Sequence, residues 1–554
     1  MELLARREVD TAELATFFAS PHASLCDPAL LPDAGVFLLR IGMARAAAEP
    51  VMVFGDFDAD GLTGLAILTR ALRLLNVVVE PYVPRRLEEG HGLSLAALDA
   101  ADAAGIRLIV TVDCGTSSHD EIAEAARRGI DVIVTDHHRV PATLPPALAV
   151  VNPMRADSRY PHRRLAGSGV AFKLAQLLLA DVPGGPAAAL ELVDLATIGT
   201  VADVAAVLGE NRAIARLGLE RLRTSPRAGI AALLERAAIA ASAATLETVS
   251  FALAPRINAA GRVGEAADAA ALLLTDDMDE ARALAGRLDD ANVARRQMTR
   301  DVVGDAEAAI GAMPTDAGAV LVHGAWPVGI VGLVASRLAE RTGRPAVVGA
   351  DVGDAIRGSC RSVPGFDLAD ALRACADLFT RYGGHAGAAG FELPADRWPA
   401  FAERFGALAA AAMPSDPRPV LRLDLALPAL EVDYALLREL AQLAPMGPGN
   451  PDPLVAIFGL TVTRVRAASG GHTQLTLKRR VDVLDGIAFD RADLAASLRE
   501  GDRLDVVARV MTRTFGGYES LQLDVRDVAP AGWHASAVET ASPSTVPALA
   551  VVPA

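Results

Sequence analysis

The sequence predicts an α/β protein: two parallel-sheet α/β domains joined by a long helical linker, and a small C-terminal β-barrel. Three observations carry this. Short apolar runs at 51–54, 108–112 and 132–135 alternate with Ala-rich helical stretches, the pattern of a parallel sheet covered on both faces. A second such pattern starts at Ala319-Val320-Leu321-Val322 after a largely helical region. Beyond a Pro-rich break at 413–419, short alternating strands separated by Gly470-Gly471 and Gly516-Gly517 read as a barrel.

Taken in order, residues 1–205 form the first α/β domain, with 1–45 as an N-terminal extension. Its start, Met1-Glu2-Leu3-Leu4-Ala5-Arg6-Arg7, lacks the apolar core of a signal peptide. The strand at 51–54 leads through a carboxylate-rich turn into a helix from about Leu62 to Leu75. The next strand is Val77-Val78-Val79, and those at 108–112 and 132–135 follow. Residues 206–312 are helical and Ala-rich, interrupted at 255–261, with one long helix over 277–310. The second α/β domain spans 313–410 and the barrel 420–530; the Ala/Ser/Pro-rich tail at 531–554 reads as disordered.

The 554 residues carry 53 Lys+Arg against 68 Asp+Glu, a net charge of −15, which excludes a protein that coats nucleic acid by bulk charge. Lys173 and Lys478 are the only lysines, so the basic side is almost wholly arginine. Four scattered cysteines (Cys26, Cys114, Cys360, Cys375) make neither a disulfide scaffold nor a CxxC zinc site. No apolar run approaches 18 uncharged residues, so no membrane span is expected, and the cytoplasm is the expected location.

Three strand ends run into polar clusters: Asp56-Phe57-Asp58-Ala59-Asp60-Gly61, Asp113-Cys114-Gly115 and Asp136-His137-His138. An Asp-rich turn alone only caps a helix, and a lone His pair is commonly solvated. Three clusters at the C-terminal edge of one sheet, where open α/β sheets place their sites, are different. So many carboxylates repel one another unless cations sit among them. The donor set of carboxylates with imidazole fits two divalent ions, Mn²⁺ or Mg²⁺, better than zinc. No Glu stands where an EF-hand needs one.

The strings DFDADG, DCG and DHH, in this order and spacing, resemble the DHH phosphoesterase superfamily, and within it the RecJ family of single-strand-specific bacterial exonucleases. Val201-Ala202-Asp203-Val204 is similar to that family's fourth metal motif. Ala254 to Arg262, containing RINAAGR, resembles the signature joining its two halves. Residues 357–362 and 383–390 resemble the DHH-associated substrate-binding domain, and Gly447-Pro448-Gly449-Asn450-Pro451 the start of an OB-fold. The resemblance covers about 35–530.

It implies two-metal hydrolysis of single-stranded DNA from its 5′ end, releasing 5′-mononucleotides, in DNA repair and recombination. The implied metal ligands are Asp56, Asp58, Asp60, Asp113, His137 and Asp203, with Asp113, His137 and His138 as catalytic residues. His138 would either support the ligands from behind or act as a transition-state partner, and Asp136 would orient the histidines. Substrate would be held by Arg86 (or Arg85), Arg256, Asn258, Arg262, Ser359, Arg361 and His385, with Ser359 and Arg361 on the terminal phosphate. The OB region would add affinity, with Lys478-Arg479-Arg480 as either a backbone contact or a charged turn. Single-strand-binding protein and a helicase are the implied partners. Two other readings are a phosphodiesterase for short oligonucleotides or cyclic dinucleotides, and a catalytically inactive DNA-binding replication factor.

Overall fold

A computed structural model of the chain describes residues 2–7, 9, 11–86, 88–311, 317–413, 421–515 and 518–532. Most of the Pro-rich break, the Gly516-Gly517 turn and all but the first two residues of the tail lie outside them. The chain forms two compact units. Residues 19–413 make one; residues 2–18 and 421–532 make the other.

In the first unit, β1 (Val51–Gly55), β2 (Val79–Tyr82), β3 (Leu108–Val112), β4 (Asp131–Thr135) and β5 (Ala149–Val151) form an all-parallel sheet of order β2-β1-β3-β4-β5. Its strands are apolar on both faces because both are covered. Val51 and Val53 enter one core cluster while Met52 and Phe54 enter another. The chain leaves β1 toward β2 on one side and returns through β3 on the other, so the order reverses between β1 and β3. Such a switch point opens a crevice at the C-terminal strand ends, and the aspartate clusters sit there. β2 begins two residues later than the Val77–Val79 expectation, pairing Val79 with Val51.

The helices that matter for the site are α1 (Ala59–Leu74), α2 (Gly167–Leu179), α3 (Val193–Ala202), α4 (Ala254–Val263) and α5 (Met278–Ile310). Asp277 caps α5, its carboxylate accepting from the amides of Asp279 and Glu280, so the long helix starts where the sequence places it. The expected interruption at 255–261 is instead α4, continuous from a π-helical turn at Val249–Leu253. Pro255 comes just after that π-helical turn, and the helix runs on through Asn258 and Gly261. Gly261 is needed because a Cβ there would stand 2.7 Å from the carbonyl of Phe57.

The second α/β half holds β6 (Val320–Gly324), β7 (Ala346–Val352), β8 (Ala355–Arg361), β9 (Arg381–Gly384) and β10 (Ala388–Pro394), in the order β6-β7-β8-β10-β9. Only the β6–β7 pair is parallel, with α6 (Val331–Thr342) as its crossover. The two residues between β7 and β8 permit only a hairpin, so the rest of this sheet is antiparallel.

In the second unit, β12 (Val455–Ala468), β13 (His472–Arg479), β14 (Asp482–Ala488), β15 (Arg503–Phe515) and β16 (Tyr518–Pro530) close a barrel through β12–β15 pairing, with β11 (Leu425–Pro428) added at the side. Gly459, at φ 74°, sits in the bulge that lets β12 bend between its partners. Arg480 lies in the turn joining β13 and β14, while Lys478 and Arg479 end β13; Arg479 donates to the carbonyls of Ala429 and Val432, and Lys478 and Arg480 are exposed. The N-terminal segment is divided. Leu3, Leu4 and Phe17 join the barrel core, and Arg7 pairs with Asp424 at 2.6 Å, so residues 2–18 belong to the barrel unit and not to an extension of the first domain. One stretch, Gly185–Ala202, has a membrane span's length and hydropathy, against the expectation of none; it is 67% buried and breaks into two core helices.

Candidate active site

The turn after β1 is built around α1. Asp58 caps the helix, one carboxylate oxygen accepting from the amides of Asp60 and Gly61 at 3.0 Å each. Asp60 turns toward the N-terminus of α2, where its oxygens accept from Gly167 at 2.6 Å and Ser168 at 2.9 Å. These amides hold the carboxylate in the field of a helix start. Asp113 follows β3 with φ at 62°, which aims its side chain at the same point. Gly167 permits this approach, since a Cβ there would lie 2.6 Å from Asp113 Oδ1.

His137 completes the centre. Its Nε2 lies 3.0 Å from Asp113 Oδ1 and 3.8 Å from Asp60 Oδ2, and its Nδ1 lies 3.9 Å from Asp203 Oδ2 at the end of α3. Asp136 is spent on orientation: it accepts from the amides of His137 and His138, from His138 Nδ1 at 2.8 Å and from the Thr116 amide. Both of its oxygens thus accept hydrogen bonds, an arrangement that suits orienting the histidine pair.

Candidate ligand atoms fall into three overlapping groups, each within 4.8 Å: Asp56 with Asp58 and Asp113, Asp60 with His137 and Asp203, and Asp113 with His137 and His138. Asp56 Oδ1 is buried without a hydrogen-bond partner among the described residues, and buried Asp113 Oδ1 and His137 Nε2, though 3.0 Å apart, are not aligned to bond each other or any other described residue. Buried polar atoms are rarely left so. A divalent cation is the species that satisfies a carboxylate oxygen and an imidazole nitrogen together, and the donors fit Mn²⁺ or Mg²⁺.

The protonation behaviour agrees. Burial, then Asp60 and Asp58, hold the Asp113 carboxyl well above its usual range. Burial pushes Asp203 up to about 7; the charge of His137 opposes this, and Asp60 and Asp58 add to it. Burial works against charging His138, but the hydrogen bond and charge of Asp136 raise it to about 9. Without a cation the Asp113 and Asp203 carboxyls hold protons that a bound metal would displace.

The basic residues divide sharply. Arg86 lies over the Phe57 ring at 4.7 Å and faces Asp56 and Asp58, whereas Arg85 turns out to Glu88, so Arg86 is the one aimed at the site. Arg262 donates to the Gly329 carbonyl at 3.1 Å; burial, with Arg86, Arg295 and Arg361 around it, lowers it to about 9. Arg361 donates to Ser359 Oγ at 2.9 Å, and both stand 3.1 Å from where a Cβ on Gly332, in the first turn of α6, would be. Guanidinium, hydroxyl and helix start together make an anion pocket. His385 is exposed on its Gly-rich loop, within electrostatic range of Arg361 and His138.

Two expected substrate residues are turned elsewhere. Arg256 is 9% exposed and donates to Asp289 on α5 and to the Ala252 carbonyl, both at 2.8 Å, so it ties helices together. Asn258 Oδ1 accepts from the Ala59 amide at 2.7 Å, bracing the carboxylate turn. Sequence reasoning missed Arg295, whose buried Nε lacks a partner and which lies beside Arg262. It also missed His91, 3.1 Å from Asp56 Oδ2, although the Glu89-Gly90-His91-Gly92 string beside Arg86 was a signal.

Comparison with known proteins agrees with this geometry. The DHH family N-terminal domain matches residues 50–200, the DHHA1 domain residues 316–411 and the RecJ OB domain residues 423–527. The chain is 36% identical over 539 residues to the single-stranded-DNA-specific exonuclease RecJ of Bacillus subtilis, covering 96% of this chain and 68% of that one. It is 41% identical to the RecJ of Thermus thermophilus, covering 82% and 65%. The chain thus spans about two thirds of the length of these two relatives. The crystal structure of Thermus thermophilus RecJ with Mn²⁺ superposes with a TM-score of 0.78 at 34% identity, covering 95% of this chain and 77% of that one.

Proposed function

The chain belongs to the RecJ family, and from that premise we propose that it is a metal-dependent exonuclease of single-stranded DNA acting in DNA repair and recombination. We propose further that it works 5′→3′ and releases 5′-mononucleotides. One observation carries the reading: the carboxylate–histidine centre and the Ser359–Arg361 anion pocket belong to one compact unit, bridged by Arg86 and Arg262, which lie within electrostatic range of both.

Asp56, Asp58, Asp60, Asp113, His137 and Asp203 are the proposed ligands of two divalent ions. When bound, the ions supply Lewis acidity and a hydroxide nucleophile at neutral pH. Asp136 fixes the histidine pair, and His138, protonated at neutral pH, offers a donor to charge building on the scissile phosphate. Ser359 and Arg361 hold the terminal phosphate, and Arg86, Arg262 and His385 neutralise the neighbouring backbone. A phosphate gripped at a fixed distance from the hydrolytic centre selects a strand end, and Arg361 therefore sets polarity. Single-strand-binding protein and a helicase are the proposed partners because they present such ends, and the cytoplasm is the proposed location.

Purified protein with Mn²⁺ on single strands labelled at the 5′ or 3′ end tests this. Early release of labelled mononucleotide from the 5′ label, lost in Asp113→Ala, is the expected result. Equal attack from 3′ ends refutes the polarity, and activity surviving Asp113→Ala refutes the metal assignment. The six proposed ligands are all carboxylate or imidazole, with no substitution that would disarm the centre, which favours an enzyme over an inactive binding factor.

A further inference from the structure

His91 is 67% exposed on its side chain, yet its Nδ1 stands 3.1 Å from Oδ2 of buried Asp56 and its ring lies 4.4 Å from that of Phe57. The turn carrying it is built to hold it there. The Glu89 carboxylate accepts from Tyr82 Oη at 3.0 Å, from the Arg85 amide at 2.8 Å and from Ser94 Oγ at 2.5 Å, stapling both ends of the loop. Gly90 and Gly92 flank His91 with φ of 81° and 88°, the left-handed conformation that side chains disfavour. Gly92 also leaves room for Ser118, which accepts from the Leu93 amide; a Cβ on Gly92 would stand 2.8 Å from its hydroxyl.

The two oxygens of Asp56 are thereby made different. An ionised carboxylate can only accept, so His91 donates from Nδ1 to Oδ2, and the buried Oδ1 is left without a partner. From the same turn Arg86 lies over the Phe57 ring, 4.7 Å from its centroid. One short segment thus meets the carboxylate turn through a guanidinium and an imidazole, both against the Phe57 ring.

We propose that His91 is a positioning residue that fixes Asp56 through Oδ2 so that Oδ1 faces the metal, coupling the Arg86 turn to metal affinity. The proposal rests on Asp56 being a ligand. It makes a prediction about atoms: donation comes from Nδ1, whose position an Asn amide reproduces and a Gln amide, one methylene further out, does not.

The test is calorimetric titration of the full-length, chelator-stripped protein with Mn²⁺ alone, alongside kinetics on single-stranded DNA. His91→Ala should weaken Mn²⁺ binding about 10–100-fold, the usual effect of losing a group that orients a ligand. At saturating Mn²⁺ it should recover kcat with an unchanged KM for DNA, and its unfolding midpoint should match wild type because the ring is exposed. His91→Asn should restore most of the affinity and His91→Gln should not. Wild-type affinity in His91→Ala overturns the proposal, as does equal rescue by Asn and Gln. If the wild-type protein itself binds no Mn²⁺, it is the metal reading that fails, a result distinguishable from either.

Discussion

Gly199 on α3 offers the sharpest test of how tightly the centre is packed. A Cβ built there falls inside van der Waals contact of Ser168 Oγ, Asp60 Oδ1 and Thr63 Oγ1, the last at 2.5 Å. All three residues are buried, and one of the atoms, Asp60 Oδ1, is the acceptor of the Ser168 amide at the start of α2. Gly199→Ala must move α3 away from α1 and α2 or push Asp60 off those amides. Overpacking of a dense core costs about 1–3 kcal/mol, and losing a hydrogen bond to a charged group adds about 1.5–3 kcal/mol. Gly304, exposed on α5 with nothing within 4 Å of its virtual Cβ, provides the control. There the same substitution removes helix-destabilising backbone freedom and should stabilise by about 0.5–1 kcal/mol. Unfolding midpoints of both variants and their kcat with Mn²⁺ decide the matter. Gly199→Ala should fall in both measures, while Gly304→Ala should rise or hold in stability and keep wild-type kcat. A Gly199→Ala protein matching wild type in both would refute the claim that Asp60 is held by close helix packing.

Three other outcomes are expected. In metal-free protein Asp203→Asn should be more stable than wild type at pH 8. The folded pKa is raised to about 7 from 3.8, so wild type loses stability as pH rises from 4 to 7; the gap, about 4 kcal/mol at most, should open over that range in thermal unfolding. Arg361→Ala should abolish preference for a 5′-phosphate over a 5′-hydroxyl end, whereas Arg256→Ala should lower the unfolding midpoint and leave that preference intact, measured by competition between the two ends. Glu210→Gln should cost about 3–5 kcal/mol in unfolding, because it strips fully buried Lys173 of its one ion-pair partner among the described residues, 3.0 Å away.

The metal centre was legible because its residues come as short strings tied to strand ends. Asp56, Asp58 and Asp60 leave β1 together, and Asp113 and His137 leave neighbouring strands in register, so local reading sufficed. The RINAAGR segment was harder. Read as an interruption, it gave no phase, and Arg256, Asn258 and Arg262 looked equivalent. As a helix it separates them: Asn258 and Arg262, four residues apart, share a face, while Arg256 points to Asp289 on α5. The long-range packing of residues 2–18 on the barrel was invisible because Arg7 and Asp424 are 417 positions apart and pair only through tertiary structure. His91 was hidden by the same limit, since its role depends on a loop stapled by Glu89.

The net charge of −15 resolves into two populations of arginine. Arg155, Arg227 and Arg256 are sunk into the fold against Asp157, Asp194 and Asp289. Such pairs hold position and offer nothing to a ligand. Arg86, Arg262, Arg295 and Arg361 are also half-buried, yet among the described residues none has a carboxylate within ion-pair distance, and Arg262 lies within electrostatic range of the other three. A partly desolvated cation held near its like is costly unless an anion completes it. In a chain with an excess of carboxylates, leaving four arginines unpaired in one place is itself the specification of a polyanionic ligand. The acidic remainder of the surface then opposes sequence-blind coating of DNA, and the cluster of those four arginines near the metal centre is where a polyanion meets the least repulsion.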